Sequence, residues 1–234
     1  MLSIFFAIIC LISSPKVAAS PLFIDFKVDP KVHNIGLYLK DANGNVFSQF
    51  QTLRKNLEEK NKKLVFAMNA GMFMENLMPL GLYIEKGKQI RKLNLRKTAY
   101  GNFYIQPNGV FSLTHKGAQI TTSQQFKQND VLFATQSGPM LIINNKLNPN
   151  LNKSGRSKLI RNGVCLNKSM QLIFSISTQP VTFHELAQYF KSELECENAL
   201  YLDGAISQIY WPQKGKFGLP SKIGPIIGIT SIEN

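Results

Sequence analysis

Apolar and polar positions alternate along this chain in short blocks bounded by Gly, Pro, Asn or Asp, the rhythm of strands and turns rather than of long helices. Residues 22–28 and 35–39 read as strands, and a turn at 41–45 leads into a return strand at 46–50. Residues 51–63 are polar, with Leu53 and Leu57 four apart, which predicts an exposed helix with a narrow apolar stripe. A buried-type strand at 64–68 ends in Asn69-Ala70-Gly71, and segments 81–84 and 89–95 form a hairpin about Glu85-Lys86-Gly87-Lys88. Residues 103–105 and 110–113 flank Gln106-Pro107-Asn108-Gly109, the strongest hairpin signal in the chain. An edge strand at 119–122 and a short polar helix near 123–127 come next. The strand at 132–135 runs into Gln136-Ser137-Gly138-Pro139 and resumes at 140–143, and the Asn-rich stretch 146–158 reads as a surface loop.

Segments 159–165, 172–177, 199–202 and 226–229 complete the strands. Residues 182–194 carry the clearest helical period: Phe183, Leu186, Ala187, Phe190 and Leu194 share one face, and Thr182 with Glu185 makes a capping box. That box makes Glu185 a helix cap in preference to a catalytic acid. The expected class is α/β (α+β): a β-rich mixed sheet with two or three helices in a single domain.

The amino terminus stands apart from this pattern. Residues 4–12 are uninterrupted and apolar but too short to span a bilayer, and Val17 and Ala19 occupy the small-residue positions of a signal-peptidase site. Residues 1–19 are therefore expected to be a signal peptide and residues 20–234 the mature domain, periplasmic or secreted, with no transmembrane anchor after cleavage. In an oxidising compartment Cys165 and Cys196 either pair or remain two buried thiols. Two isolated cysteines and three histidines show no ligand spacing, so no metal or other cofactor is expected.

The formal charge of +13 on 234 residues attracts anionic partners. No nucleic-acid-binding motif accompanies it, so nucleic acid is not the expected partner.

Chemistry concentrates where strands end in, or contain, a polar residue plus glycine: Asn69-Ala70-Gly71, Gln136-Ser137-Gly138, Arg161-Asn162-Gly163 and Asp203-Gly204. Glycine there permits positive φ or close backbone approach to a ligand. Taken in order with Pro79-Leu80-Gly81-Leu82, Gly101-Asn102-Phe103, Pro107-Asn108-Gly109-Val110-Phe111 and Leu200-Tyr201-Leu202-Asp203-Gly204, these motifs resemble the phosphodiester glycosidase family, and most closely its bacterial exported branch. The likeness covers essentially all of the mature chain. It departs from the family's lysosomal member after Leu-Asp-Gly, where Ala205-Ile206 rather than further glycines precede Ser207.

The resemblance implies an exported hydrolase that cleaves the glycosyl bond of a sugar phosphodiester in an envelope or extracellular glycan. A phosphate monoester departs far more readily than a sugar alkoxide, so acid assistance matters less than a fixed cation beside it. Arg161 fits that cation, because a guanidinium matches phosphate oxygens bidentately; its structural alternative is an ion pair, with Asp203 among the candidates. Asp203 would activate water or stabilise charge at the anomeric carbon. Asn69 and Asn162, with Gly71, Ser137, Gly138, Gly204 and Ser207, would bind sugar hydroxyls or phosphate oxygens. Glu75 is the candidate second acid, or a solvated loop residue. Ser137 lacks a histidine base and is a poor nucleophile. The competing reading is a non-catalytic module that binds anionic envelope polysaccharide.

Overall fold

The computed structural model describes residues 22–203, 206–218 and 221–232; the expected signal peptide and Gly204 lie outside them. Short apolar blocks become strands here because nearly every one is covered on at least one face. Among the described residues they build three sheets with antiparallel neighbours throughout. The first sheet orders Phe23–Lys27, Leu172–Ser177, Asn162–Asn167, Cys196–Tyr201, Met140–Ile143 and Lys146–Leu147. The second orders Gly215–Phe217, Ile209–Trp211, Leu64–Asn69, Ile226–Ser231 and His33–Tyr38. The third orders Lys88–Arg91, Tyr83–Glu85, Val131–Ser137, Gly109–Thr114 and Gly117–Thr122.

The largest core lies where the sheets face one another, with Phe26, Phe174 and Leu200 from the first meeting Phe66, Met68 and Ile227 from the second and Phe111 from the third. Helix Phe183–Ser192 covers the outer face of the first sheet through Leu186, Ala187 and Phe190, and helix Phe50–Glu58 covers the second through Phe50, Leu53 and Leu57. The class is the one the pattern predicts: β-rich, with two α-helices among the described residues and a single domain. Cys165 and Cys196 form a disulfide between neighbouring strands of the first sheet, with Cα atoms 5.9 Å apart. Among the described residues no helix is long and apolar enough to cross a membrane.

Four local expectations are corrected. The return strand at 46–50 reduces to a bridge between Lys40 and Val46, because Phe50 is needed as the first buried residue of the helix stripe. Gln106-Pro107-Asn108-Gly109 is not a hairpin turn. Asn102–Tyr104 is a 3₁₀ turn, Asn108 is buried with its amide donating to Phe103 O, and a Cβ on Gly109 would meet Met140 Sδ at 2.2 Å. The true hairpin joins Gly109–Thr114 to Gly117–Thr122, where Gly117 has φ of +118°. No helix forms over 123–127: residues 123–125 are a turn, and Ser123 Oγ accepts from the buried Gln136 side chain. Finally, the 146–158 stretch is not all surface loop: Lys146–Leu147 pairs with Met140–Ile143, and Asn148 is buried, donating to Met140 O.

Candidate functional site

Four strand ends, drawn from all three sheets, meet at one place. Leu64–Asn69 of the second sheet ends there, Asn162–Asn167 of the first begins there, and Cys196–Tyr201 of the first and Val131–Ser137 of the third both run into it. Strand ends leave backbone N–H and C=O groups without ladder partners, and buried ones must find others. Asparagine and serine supply them. Asn69 Oδ1 accepts from Asn162 Nδ2 at 2.8 Å and from Gln208 N at 2.8 Å. Asn162 Oδ1 in turn accepts from the backbone N–H of Asp203 at 2.9 Å. Ser137 Oγ donates to Leu202 O at 2.6 Å, and Ser207 Oγ donates to the Asp203 carbonyl.

Asn69, Ser137, Asn162, Asp203 and Ser207 are thereby brought together, and every one is buried. Among the described residues one group in the knot is left over: Asn69 Nδ2 is a buried donor with no hydrogen-bond partner there. Since Asn69 Oδ1 already takes two N–H groups, the amide cannot be flipped to remove this orphan.

Arg161 lies one residue before Asn162, 1% exposed. Its Nε donates to Val181 O at 2.8 Å, one Nη to Tyr201 Oη at 3.0 Å and the other to Ser157 O at 3.1 Å. Its guanidinium lies 3.8 Å from the centre of the Phe183 ring. Among the described residues no carboxylate is within ion-pair distance of it, so the expected structural alternative of a pair with Asp203 is replaced by carbonyls and aromatic faces. Burial raises the Tyr201 phenol above its ordinary pKa, Arg161 pulls it down, and Asp203 pushes it up. Both charges therefore reach Tyr201.

The remaining expected residues stand differently. Gly71 is a packing glycine: a Cβ there would meet Gln136 O at 2.4 Å, and its N–H donates to Thr135 Oγ1. Gly138 is packed in the same way against Asn108, 2.6 Å from a would-be Cβ. Glu75 is exposed in a turn, and no hydrogen bond among the described residues ties it to the knot. Three contributors go unread from sequence. Gln208 enters only through its backbone; Tyr201 reads simply as strand core. Gln136 is visible as part of Gln-Ser-Gly-Pro, yet nothing local announces that its amide makes four hydrogen bonds, to Leu82 N, Asn94 N, Asn94 O and Ser123 Oγ.

The fold has been seen before. The catalytic domain of zebrafish N-acetylglucosamine-1-phosphodiester alpha-N-acetylglucosaminidase, auto-inhibited by its pro-peptide, superposes with a TM-score of 0.59 at 16% identity, covering 91% of this chain and 84% of that one. A hypothetical protein from Synechocystis superposes with a TM-score of 0.56 at 13% identity, covering 90% of this chain and 59% of its own. In sequence, the uncharacterized protein YigE of Escherichia coli (strain K12) is 36% identical over 225 residues, covering 96% of this chain and 85% of YigE. Residues 62–225 match the phosphodiester glycosidase family, and the chain belongs to it.

Proposed function

We propose that the protein is an exported hydrolase that cleaves the glycosyl bond of a sugar phosphodiester in an envelope or extracellular glycan, with Asp203 acting on the reacting atoms. The observation that carries this reading is the junction: a carboxylate-bearing residue at the convergence of three sheets, linked through Asn162 to Asn69, whose buried amide donor has no partner among the described residues. A buried donor left unsatisfied is costly, and a sugar hydroxyl or phosphate oxygen would satisfy it. In the proposed step the anomeric C–O bond breaks with its electron pair going to the phosphate oxygen. Water's oxygen bonds to the anomeric carbon, and its proton passes to the Asp203 carboxylate.

Arg161 takes a different part from that of a direct phosphate clamp. With one donor on each of its three nitrogens engaged and its side chain buried, it acts at one remove, holding Tyr201 and the strand end that carries Asp203. Asn162 likewise positions Asp203 through the backbone. Export is supported by the expected signal peptide at residues 1–19 and by the Cys165–Cys196 disulfide, a bond typical of oxidising compartments.

The test is product analysis by mass spectrometry after incubating residues 20–234 with a panel of glycosyl phosphodiesters. Free sugar and a phosphate monoester are expected, and Asp203→Asn is expected to lower turnover by roughly 10²–10⁴-fold while the far-ultraviolet circular dichroism stays unchanged. Binding of anionic polysaccharide with no product from any substrate would replace this reading with the non-catalytic module.

A further inference from the structure

The positive charge is not spread evenly. Residues 86–129 contain eight Lys and Arg and no Asp or Glu, and they build most of the third sheet. Lysines on an edge strand such as Lys88–Arg91 have an ordinary purpose, since they deter pairing with another chain. Residues 95–100 have no such purpose to serve, because they lie in no strand. All six are exposed: Leu95, Arg96, Lys97, Thr98, Ala99 and Tyr100. Leu95 is 58% exposed and Tyr100 fully so. With Ile90, they make up three of the eight large apolar residues that stand exposed among the described ones. Single exposed apolar residues need no explanation, whereas three within eleven positions, interleaved with cations, do.

This strap is anchored. Leu93 packs against the cluster of Leu82, Ile84 and Val110. Asn94 N donates to Gln136 Oε1 at 2.9 Å, and Gln136 Nε2 returns a bond to Asn94 O at 2.7 Å. Beyond that clamp Asn94 Oδ1 accepts from Arg96 N, and Arg96 Nε donates to Thr98 O, so the turn is shaped by its own hydrogen bonds. Gln136 immediately precedes Ser137, so the strap is fixed to the strand that delivers a residue of the junction.

Exposed apolar and aromatic side chains interleaved with cations, on a fixed base, match the chemistry of a bilayer interface. Aromatic rings settle at the headgroup level, aliphatic tips enter the acyl boundary, and ammonium and guanidinium groups meet lipid phosphates. We infer that residues 90–100 dock this protein on an anionic lipid surface, with Leu95 and Tyr100 entering the headgroup layer and Lys92, Arg96 and Lys97 against the phosphates. A soluble polyanion would use the cations but would have no need of the exposed leucine. This inference stands whether or not the chain turns over a glycosyl phosphodiester.

Co-sedimentation of residues 20–234 with vesicles of phosphatidylcholine alone, and of phosphatidylcholine mixed with phosphatidylglycerol, tests it. Binding is expected to the mixed vesicles only, weaker at high salt. The triple variant Lys92→Gln, Arg96→Gln, Lys97→Gln should weaken it on the order of a hundredfold, at about fivefold per cation. The double variant Leu95→Ser, Tyr100→Ser should weaken it as well, and Tyr100→Trp should shift its emission to the blue on vesicle addition. Absence of binding to the mixed vesicles overturns the inference. So does binding that the triple variant removes and the double variant leaves intact, which would point to a soluble polyanion instead.

Discussion

Arg161 carries a full positive charge into the interior, where a charge without compensation costs several kcal/mol. Three oxygens and the Phe183 face offset that cost, and they do so through the fork geometry that only a guanidinium offers. Lysine at this position could reach one of the three oxygens and would leave the others without their donor. Arg161→Lys is therefore expected to lower stability by about 2–4 kcal/mol in urea denaturation. If the residue positions others, as proposed, the part of the population that stays folded should keep its KM and lose kcat. A raised KM with unchanged kcat would instead return Arg161 to contact with the phosphate. The residue type makes Arg161 a candidate from sequence alone, but its carbonyl partners Val181 and Ser157 are set by tertiary packing that no local pattern encodes. Asn69 and Asn162 carry the same lesson. Their place at strand ends is legible, while their use as acceptors for the N–H groups of Gln208 and Asp203 is not, because those partners lie on other segments.

Elements are legible where their determinants are local. The helix at Phe183–Ser192 grows out of Thr182 and Glu185, whose reciprocal bonds are both present. Thr182→Ala should cost about 1 kcal/mol in thermal or urea unfolding. Glu185 has its pKa lowered, first by the Thr182 N–H and then by Lys158. A carboxylate with a depressed folded-state pKa adds stability above its ordinary range and loses it as the pH falls through the folded value. The difference between the parent chain and Glu185→Gln should accordingly be present at neutral pH and vanish on acidification, and a difference that grows with acid would contradict the capping role. The hairpin expected at Gln106-Pro107-Asn108-Gly109 fails for the opposite reason. Its glycine answers to Met140 and Thr121 on other strands, and not to the needs of a turn.

At the scale of the molecule, the family motifs in their order and the even spread of short strands make the class readable. The division into three sheets is not readable, because register depends on which distant strands pair. The Cys165–Cys196 crosslink spans 31 residues and encloses Leu172–Ser177 and the helix at Phe183–Ser192. In the chain-entropy account, replacing both cysteines by alanine should lower stability by about 3–4 kcal/mol, measured as the urea midpoint with and without reductant. No change in either condition would mean that the pair contributes nothing to the folded state.

The junction also sets an order in time. Asn69 waits 93 residues for Asn162 and 139 for Gln208, and the first sheet keeps an open seam between Asn162–Asn167 and Met140–Ile143 until Cys196–Tyr201 is made. A nascent chain also keeps Leu64–Asn69 without its sheet partners Ile209–Trp211 and Ile226–Ser231 for most of its synthesis, and contacts of such long sequence separation form slowly. Only when its carboxy-terminal portion has emerged can the seam close, and with it the junction of strand ends drawn from all three sheets.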